Sequence, residues 1–176
     1  MNDSGLSFRW ALPTDTDAIV ALAQSAYRGE TSRIGWTTEA DFLDGQRIDA
    51  QGITDMLSVG QGIVLAESGG CLSGCCHIQR DGDACWFGLF AVSPALQGQG
   101  VGDALLARAE REASESFGAA WMKMKVIWLR DTLIAWYERR GYVRTGDVHP
   151  FPYGDARFGL PRRDDLHFVV LAKSLT

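Results

Sequence analysis

Apolar residues recur along this chain with two periods, and the switching between them outlines a fold. Ser7–Leu12 reads as a strand, and a helical spacing follows, with Ile19, Leu22, Ala23 and Ala26 at i, i+3, i+4 and i+7. Thr14 or Asp15 is placed to cap that helix. Three strands then form a meander. Gly62–Glu67 and Leu72–Gln79 are separated by Ser-Gly-Gly, and Asp81-Gly82 marks a tight turn into Ala84–Val92. The last of these, ACWFGLFAV, is apolar throughout, so both its faces need cover and it belongs at the sheet centre.

The second half alternates in the same way. A helix reaches to about Phe117 with Val101, Leu105, Ala109, Ala113 and Phe117 on one stripe. Trp121–Ile127 is a strand, Asp131–Arg140 a helix ended by Gly141, and Tyr142–Val148 another strand. Leu166–Leu171 is the last. This order predicts a mixed α/β sheet with helices on both faces, in one domain spanning residues 1–176.

Two regions break the pattern. Residues 29–60 contain short helical patterns around Glu39–Leu43 and Ile53–Leu57, and are rich in aromatic and charged residues, as befits a binding flap. The stretch His149–Asp164 is a loop rich in proline, glycine and charge. An acceptor site between the two would have Trp36, Phe42, Phe151 and Tyr153 available as an apolar or cation-binding wall, with Glu39 beside them.

Composition narrows the classes. The formal net charge of −5 argues against a nucleic-acid partner and fits a small cationic acceptor better than an anionic one. No segment approaches a membrane span or a signal peptide, so the expectation is a cytoplasmic protein without a membrane partner. The four cysteines, Cys71, Cys75, Cys76 and Cys85, fit no common zinc spacing. They read as buried reduced thiols, and no metal is expected.

The stretch "AVSPALQGQGVGDALLARAE" carries the chemistry: Gly98, Gly100 and Gly102 stand at alternate positions at a helix entrance. Glycine is a poor helix former, so their presence needs another reason. A loop entering a helix offers unpaired backbone N–H groups and the positive end of the helix dipole, which together make an anion site. A P-loop is excluded, because no Lys followed by Ser or Thr directly follows the glycines. A dinucleotide fingerprint fails too: its third glycine would be Asp103, and the loop follows an antiparallel meander.

What matches is Gln97-x-x-Gly100-x-Gly102, preceded by Val92-x-Pro94. It resembles the acyl-CoA pyrophosphate loop of the GNAT superfamily of N-acyltransferases, Q/R-x-x-G-x-G/A. "FRWALPTDTDAIVALAQSAY" resembles that family's opening strand and helix, and "AWYERRGYVRTG" its last helix and following strand, so the likeness spans essentially the whole chain. It implies a GNAT-like fold with a central, mostly antiparallel mixed sheet. It also implies acetyl-CoA as acyl donor, a primary amine as acceptor, and direct attack of the amine on the thioester. Gln97, Gly98, Gln99, Gly100, Val101 and Gly102 would hold the pyrophosphate. Phe90, Ala91 and Val92 would hold the pantetheine arm and thioester, where a buried N–H aimed at the developing oxyanion is worth about 3 kcal/mol.

The resemblance also assigns Tyr137, four residues before Gly141, to the departing thiolate. A phenol is a weaker acid than a thiol, so stabilisation by a hydrogen bond is expected rather than full proton transfer. Where relatives often carry asparagine, this chain has Arg130, which either contacts a CoA phosphate or is a solvated arginine at a helix entrance. No carboxylate occurs in "CWFGLFAV", where many relatives place a glutamate. The base is then Glu39, Asp41, His149 or a chain of waters. A homodimer is compatible with the sequence, and the acceptor is open among amino acids, polyamines, aminoglycosides and protein N-termini. The competing reading is a regulatory module that binds acyl-CoA without turnover.

Overall fold

In the computed structural model, which describes residues 5–28 and 38–176, the strands and helices follow the apolar periodicity closely. The strands are β1 (Leu6–Trp10), β2 (Leu43–Asp44), β3 (Gln61–Ser68), β4 (Cys71–Asp81) and β5 (Ala84–Val92). They continue as β6 (Trp121–Ile127), β7 (Val143–Pro150), β8 (Leu160–Pro161) and β9 (His167–Ser174). The described α-helices are α1 (Thr16–Tyr27), α2 (Ala50–Asp55), α3 (Val101–Glu115) and α4 (Asp131–Glu138). A seven-stranded sheet runs β1-β3-β4-β5-β6-β9-β7, with β5 at its centre. Its neighbours are antiparallel except for β5 and β6, which are parallel.

Alternation along β3 assigns the two faces. Val64 and Ala66 pack towards α3 and α4, against Leu105, Ala109, Leu133 and Ile134. Ile63 and Leu65 point the other way, onto Ile19, Leu22, Ala23 and Ala26 of α1. Both layers are buried, and each fully buried Leu or Ile contributes about 1.5–3 kcal/mol.

β5 does not keep a constant alternation. Cys85 and Phe87 lie in the α3/α4 layer, but so do Phe90 and Val92, while Leu89 and Ala91 face α1. The switch is a β-bulge: Cys75 pairs with Ala91 and His77 with Gly88, leaving two residues of β5 opposite one of β4. Leu89 sits in the bulge with a φ of 45°, a conformation that is costly for a branched side chain.

Several sequence expectations shift. Glu39–Leu43 makes a single hydrogen-bonded turn rather than a helix and then enters β2, because pairing with β8 offers Leu43 a buried place. β8 itself lies inside the stretch read as loop. Neither Thr14 nor Asp15 caps α1 through its side chain; the Asp15 carboxylate instead accepts from Arg9 and from the Leu12 N–H. Cys71 is exposed, unlike the other three cysteines, because it lies at the β3–β4 turn.

Candidate active site

β5 and β6 share only four register pairs, ending at Phe87 opposite Met124. The bulge then turns β5 away, so among the described residues no strand pairs with it beyond Phe87 on that side, and a cleft opens between the strands. A small cavity of about 70 Å³ lies in this wedge, walled by Gly88, Leu89 and Phe90 on one strand and Lys125 and Val126 on the other. Tyr137 and Arg130 approach it from α4 and its N-cap.

One end of the cleft leads to the glycine loop. Gly98 and Gly100 both adopt left-handed conformations, with φ of 80° and 84°. Gly100 is the N-cap of α3, and no side chain caps the helix. The first N–H groups of α3 therefore lack partners within the helix. A Cβ at either glycine would meet no atom within 4 Å, so the loop surface is bare and open. Gly102 is glycine for another reason: a Cβ there would come 3.3 Å from the Phe90 ring.

The Gln97 side chain donates to the Val92 carbonyl at 3.1 Å and so ties this loop to the end of β5. Gln99 bonds back to the Ala95 carbonyl. Val101 is the first residue of α3, buried against the sheet, and Ala91 is buried in the α1 layer. A cleft of about 290 Å³ lies between the glycines, Phe90, Val92 and Trp136. A bare loop, free helix N–H groups and space beside them fit the pyrophosphate and pantetheine of an acyl-CoA.

The other end opens into a larger cavity of about 730 Å³. Both the flap and the loop after β7 line it, joined by the β2–β8 ladder. Phe151 is buried in its wall. Phe42 packs against that wall's apolar cluster, whereas Tyr153 pins its own loop through the Arg163 carbonyl and the Leu166 N–H. Trp36 lies outside the described residues.

Tyr137 is almost wholly buried, among Phe87, Phe90, Trp136 and Tyr142. Burial away from water pushes its phenol well above the ordinary 10. It keeps its proton across any assay range. Glu39 lines the acceptor cavity, and Arg130, at the entrance of α4, meets it in the cleft wall. Glu39 is buried between Arg28, at 2.8 Å, and Arg130, at 3.2 Å. Burial alone would raise its carboxyl, but Arg130, Arg28 and Arg47 together hold it below the usual range. Such a carboxylate is a fixed anion and a poor proton acceptor. Arg130, held by Glu39 and lying over the Tyr27 ring, belongs to the cleft wall and not to the glycine loop.

Several lining residues escaped the sequence reading, among them His77, Arg47 and Lys125. His77 on β4 faces the large cavity and bonds Gln61 at 2.8 Å. Arg47 reaches both cavities, and Lys125 of β6 lies over the Trp86 ring. No spacing signal marked them, because what each one lines is set by tertiary packing and not by local periodicity. Among the described residues no group of His, Cys, Asp or Glu is arranged to hold a metal ion. Nor is any helix long and apolar enough to cross a membrane.

The family model of the acetyltransferase (GNAT) domain matches residues 60–144, from β3 into the start of β7. Solved structures share the fold at low identity. The ribosomal-protein-S18-alanine N-acetyltransferase from Escherichia coli superposes with a TM-score of 0.72 at 18% identity, covering 97% of this chain and 94% of its own. The yncA protein of Salmonella typhimurium, solved with its cofactor acetyl-CoA, gives 0.69 at 20% identity and the same two coverages. Ard1 from Thermoplasma volcanium gives 0.71 at 18% identity, covering 98% and 99%. No curated protein matches the sequence.

Proposed function

We propose that this chain, whose residues 60–144 match the family model of the GNAT acetyltransferase domain, transfers an acetyl group from acetyl-CoA to a primary amine. The observation that carries this reading is the cleft. It begins at a bare, anion-binding helix entrance, runs beside the unpaired edge of β5, and ends in a cavity large enough for a second substrate. A site for the acyl donor alone would need no such cavity.

When bound, acetyl-CoA supplies the acetyl thioester. The chain's part is to position and to manage charge. Gly98, Gly100 and Val101 offer backbone N–H groups to the pyrophosphate, with the α3 dipole behind them. The β5 backbone around Phe90 and Val92 lies beside the pantetheine arm, although the Val92 carbonyl already accepts from Gln97. The bulge at Leu89 turns the strand where a donor for the thioester oxygen is needed.

Tyr137 donates a hydrogen bond to the departing sulfur. Its hydroxyl makes no hydrogen bond to any described residue, and the side chain lines the cleft, so the donor is available. An ammonium near pKa 10.4 is about one part in a thousand free base at neutral pH, so the amine needs a proton acceptor. Of the three candidates, Glu39 is clamped by arginines, and Asp41 is exposed and away from the cavity lining. His149 lines the acceptor cavity beside Trp86. We assign it the role of proton acceptor, since a neutral imidazole carries one ring nitrogen able to accept a proton.

The first test is ligand stabilisation. Acetyl-CoA should raise the melting temperature of the purified protein, because a ligand bound only by the folded state stabilises it by mass action. NADH and ATP should do much less. Stabilisation by NADH and not by acetyl-CoA would reject the assignment of the glycine loop.

A further inference from the structure

We propose that the amine acceptor also carries a carboxylate or an equivalent oxyanion, which Arg47 holds where the two cavities meet. This rests on the reading of the chain as an amine acetyltransferase and narrows its acceptors to one class.

The charge lining the acceptor cavity runs against that of the whole protein. The chain carries −5 overall, yet the cavity is lined by Arg28, Arg47, Arg80 and Lys125 against Glu39 and Asp81. Arg28 and Glu39 neutralise each other at 2.8 Å. The Asp81 carboxylate accepts from the Trp86 indole N–H at 2.9 Å and pairs with no described cation. Among the described residues, that leaves Arg47, Arg80 and Lys125 against the one remaining negative charge of Asp81, a net positive lining.

Arg47 is the member placed to matter. It lines both the cleft and the acceptor cavity and is half-buried. Its guanidinium lies over the Tyr27 ring at 5.5 Å and makes no hydrogen bond or ion pair with any described residue. Glu39 is near enough to feel its charge, but its two oxygens already accept from Arg28 and Arg130. A half-buried guanidinium with unused donors pays for its desolvation until an oxyanion arrives. A carboxylate matches its planar fork in a bidentate pair.

The rest of the wall defines the acceptor's body. Phe151, Phe168 and Leu43 add apolar surface to the same lining. The combination fits an α-amino acid with an apolar or aromatic side chain. Polyamines and aminoglycosides would bring further positive charge towards Arg47 and Lys125, which like-charge repulsion opposes.

Matched pairs test this. Phenylalanine, leucine and methionine would be compared with the amines left when their carboxyl group is removed. Binding to the full chain saturated with CoA would be measured by calorimetry. At least one amino acid should bind about tenfold to a hundredfold tighter than its decarboxylated partner, the range of a charge-assisted contact. Arg47→Gln should reduce that ratio towards one, and Arg47→Lys should retain part of it, both with a native circular dichroism spectrum.

Equal or tighter binding of the decarboxylated amines, no binding by any pair, or a ratio that survives Arg47→Gln overturns the proposal. Acetyl-CoA-dependent thiol release on the same panel judges the enzyme reading separately. Amino-acid preference without thiol release would reject transfer and keep the anion site. Turnover of the decarboxylated amines alone would do the opposite.

Discussion

The rings of Phe87 and Phe90 lie 5.2 Å apart on one face of β5, although residues three apart in a regular strand point to opposite faces. The bulge at Leu89 supplies the extra residue that brings them together. It also ends the pairing with β6 after Phe87 and leaves Gly88 facing both cavities. The interruption in the sheet is thus what makes room for substrates.

Gly88→Val tests that geometry. A Cβ at Gly88 would meet nothing within 4 Å, and its φ is not in the left-handed range. The added methyls would fill the junction of the cavities without disturbing the core. Stability should change by no more than about 0.5 kcal/mol, while acetyl transfer falls at least about tenfold, roughly 1.4 kcal/mol. A melting curve and a rate measurement decide it; a stable variant with full activity would move the reaction elsewhere.

Tyr137→Phe removes one hydroxyl and keeps a ring that four aromatic neighbours hold. The lost interaction belongs to the transition state, so kcat and kcat/KM for the acceptor should fall together while acetyl-CoA binding is nearly unchanged. A general-acid role is worth about a hundredfold or more, a plain hydrogen bond less. Because burial holds the phenol well above 10, its ionisation should produce no alkaline decline in wild-type activity below that pH. Wild-type turnover in the variant would leave Tyr137 with packing alone.

Gly100→Ala should cost about 1–2 kcal/mol of stability from the left-handed backbone, and acetyl-CoA affinity should drop at least about tenfold as the Cβ crowds the loop. Gly118→Ala is the control. It is also left-handed, with φ of 64° and an open Cβ position, but lies beyond the other end of α3. Equal loss of affinity in both variants would show that strain, and not access to the loop, is responsible.

His77 gives the pH dependence. Burial pushes its imidazole down to about 4 from 6.5. Between those values the unfolded chain takes up a proton that the folded chain refuses. Stability from this residue is therefore fully present above about 6.5 and declines towards pH 4, by at most about 1.4 kcal/mol per pH unit. Denaturant titrations at several pH values should show that slope, and His77→Gln should flatten it. An unchanged slope would place the titrating group elsewhere.

Most of the architecture was legible because it is written in periods. The α1 stripe Ile19, Leu22, Ala23 and Ala26 is the buried face, and Asp81-Gly82 makes the hairpin it announces. The bulge was hidden for a physical reason. In an all-apolar strand such as ACWFGLFAV both faces are buried, so a change of side leaves no trace in hydrophobicity. The glycine loop was legible because bare backbone at a helix start has few causes. Arg47, His77 and the Glu39 clamp were not, because their meaning depends on tertiary contacts that no local spacing records. Arg130 and Glu39 are 91 positions apart and meet in one ion pair.

The most direct measurement of the central claim is a mass-spectrometric time course of the protein with acetyl-CoA and the amine panel, following product and free CoA together. The account predicts an N-acetylated amine formed in one-to-one ratio with CoA thiol, and slower appearance of both signals in Tyr137→Phe or Gly88→Val. Tight acetyl-CoA binding with no acetylated product from any amine would contradict it and leave a module that holds the acyl donor without using it.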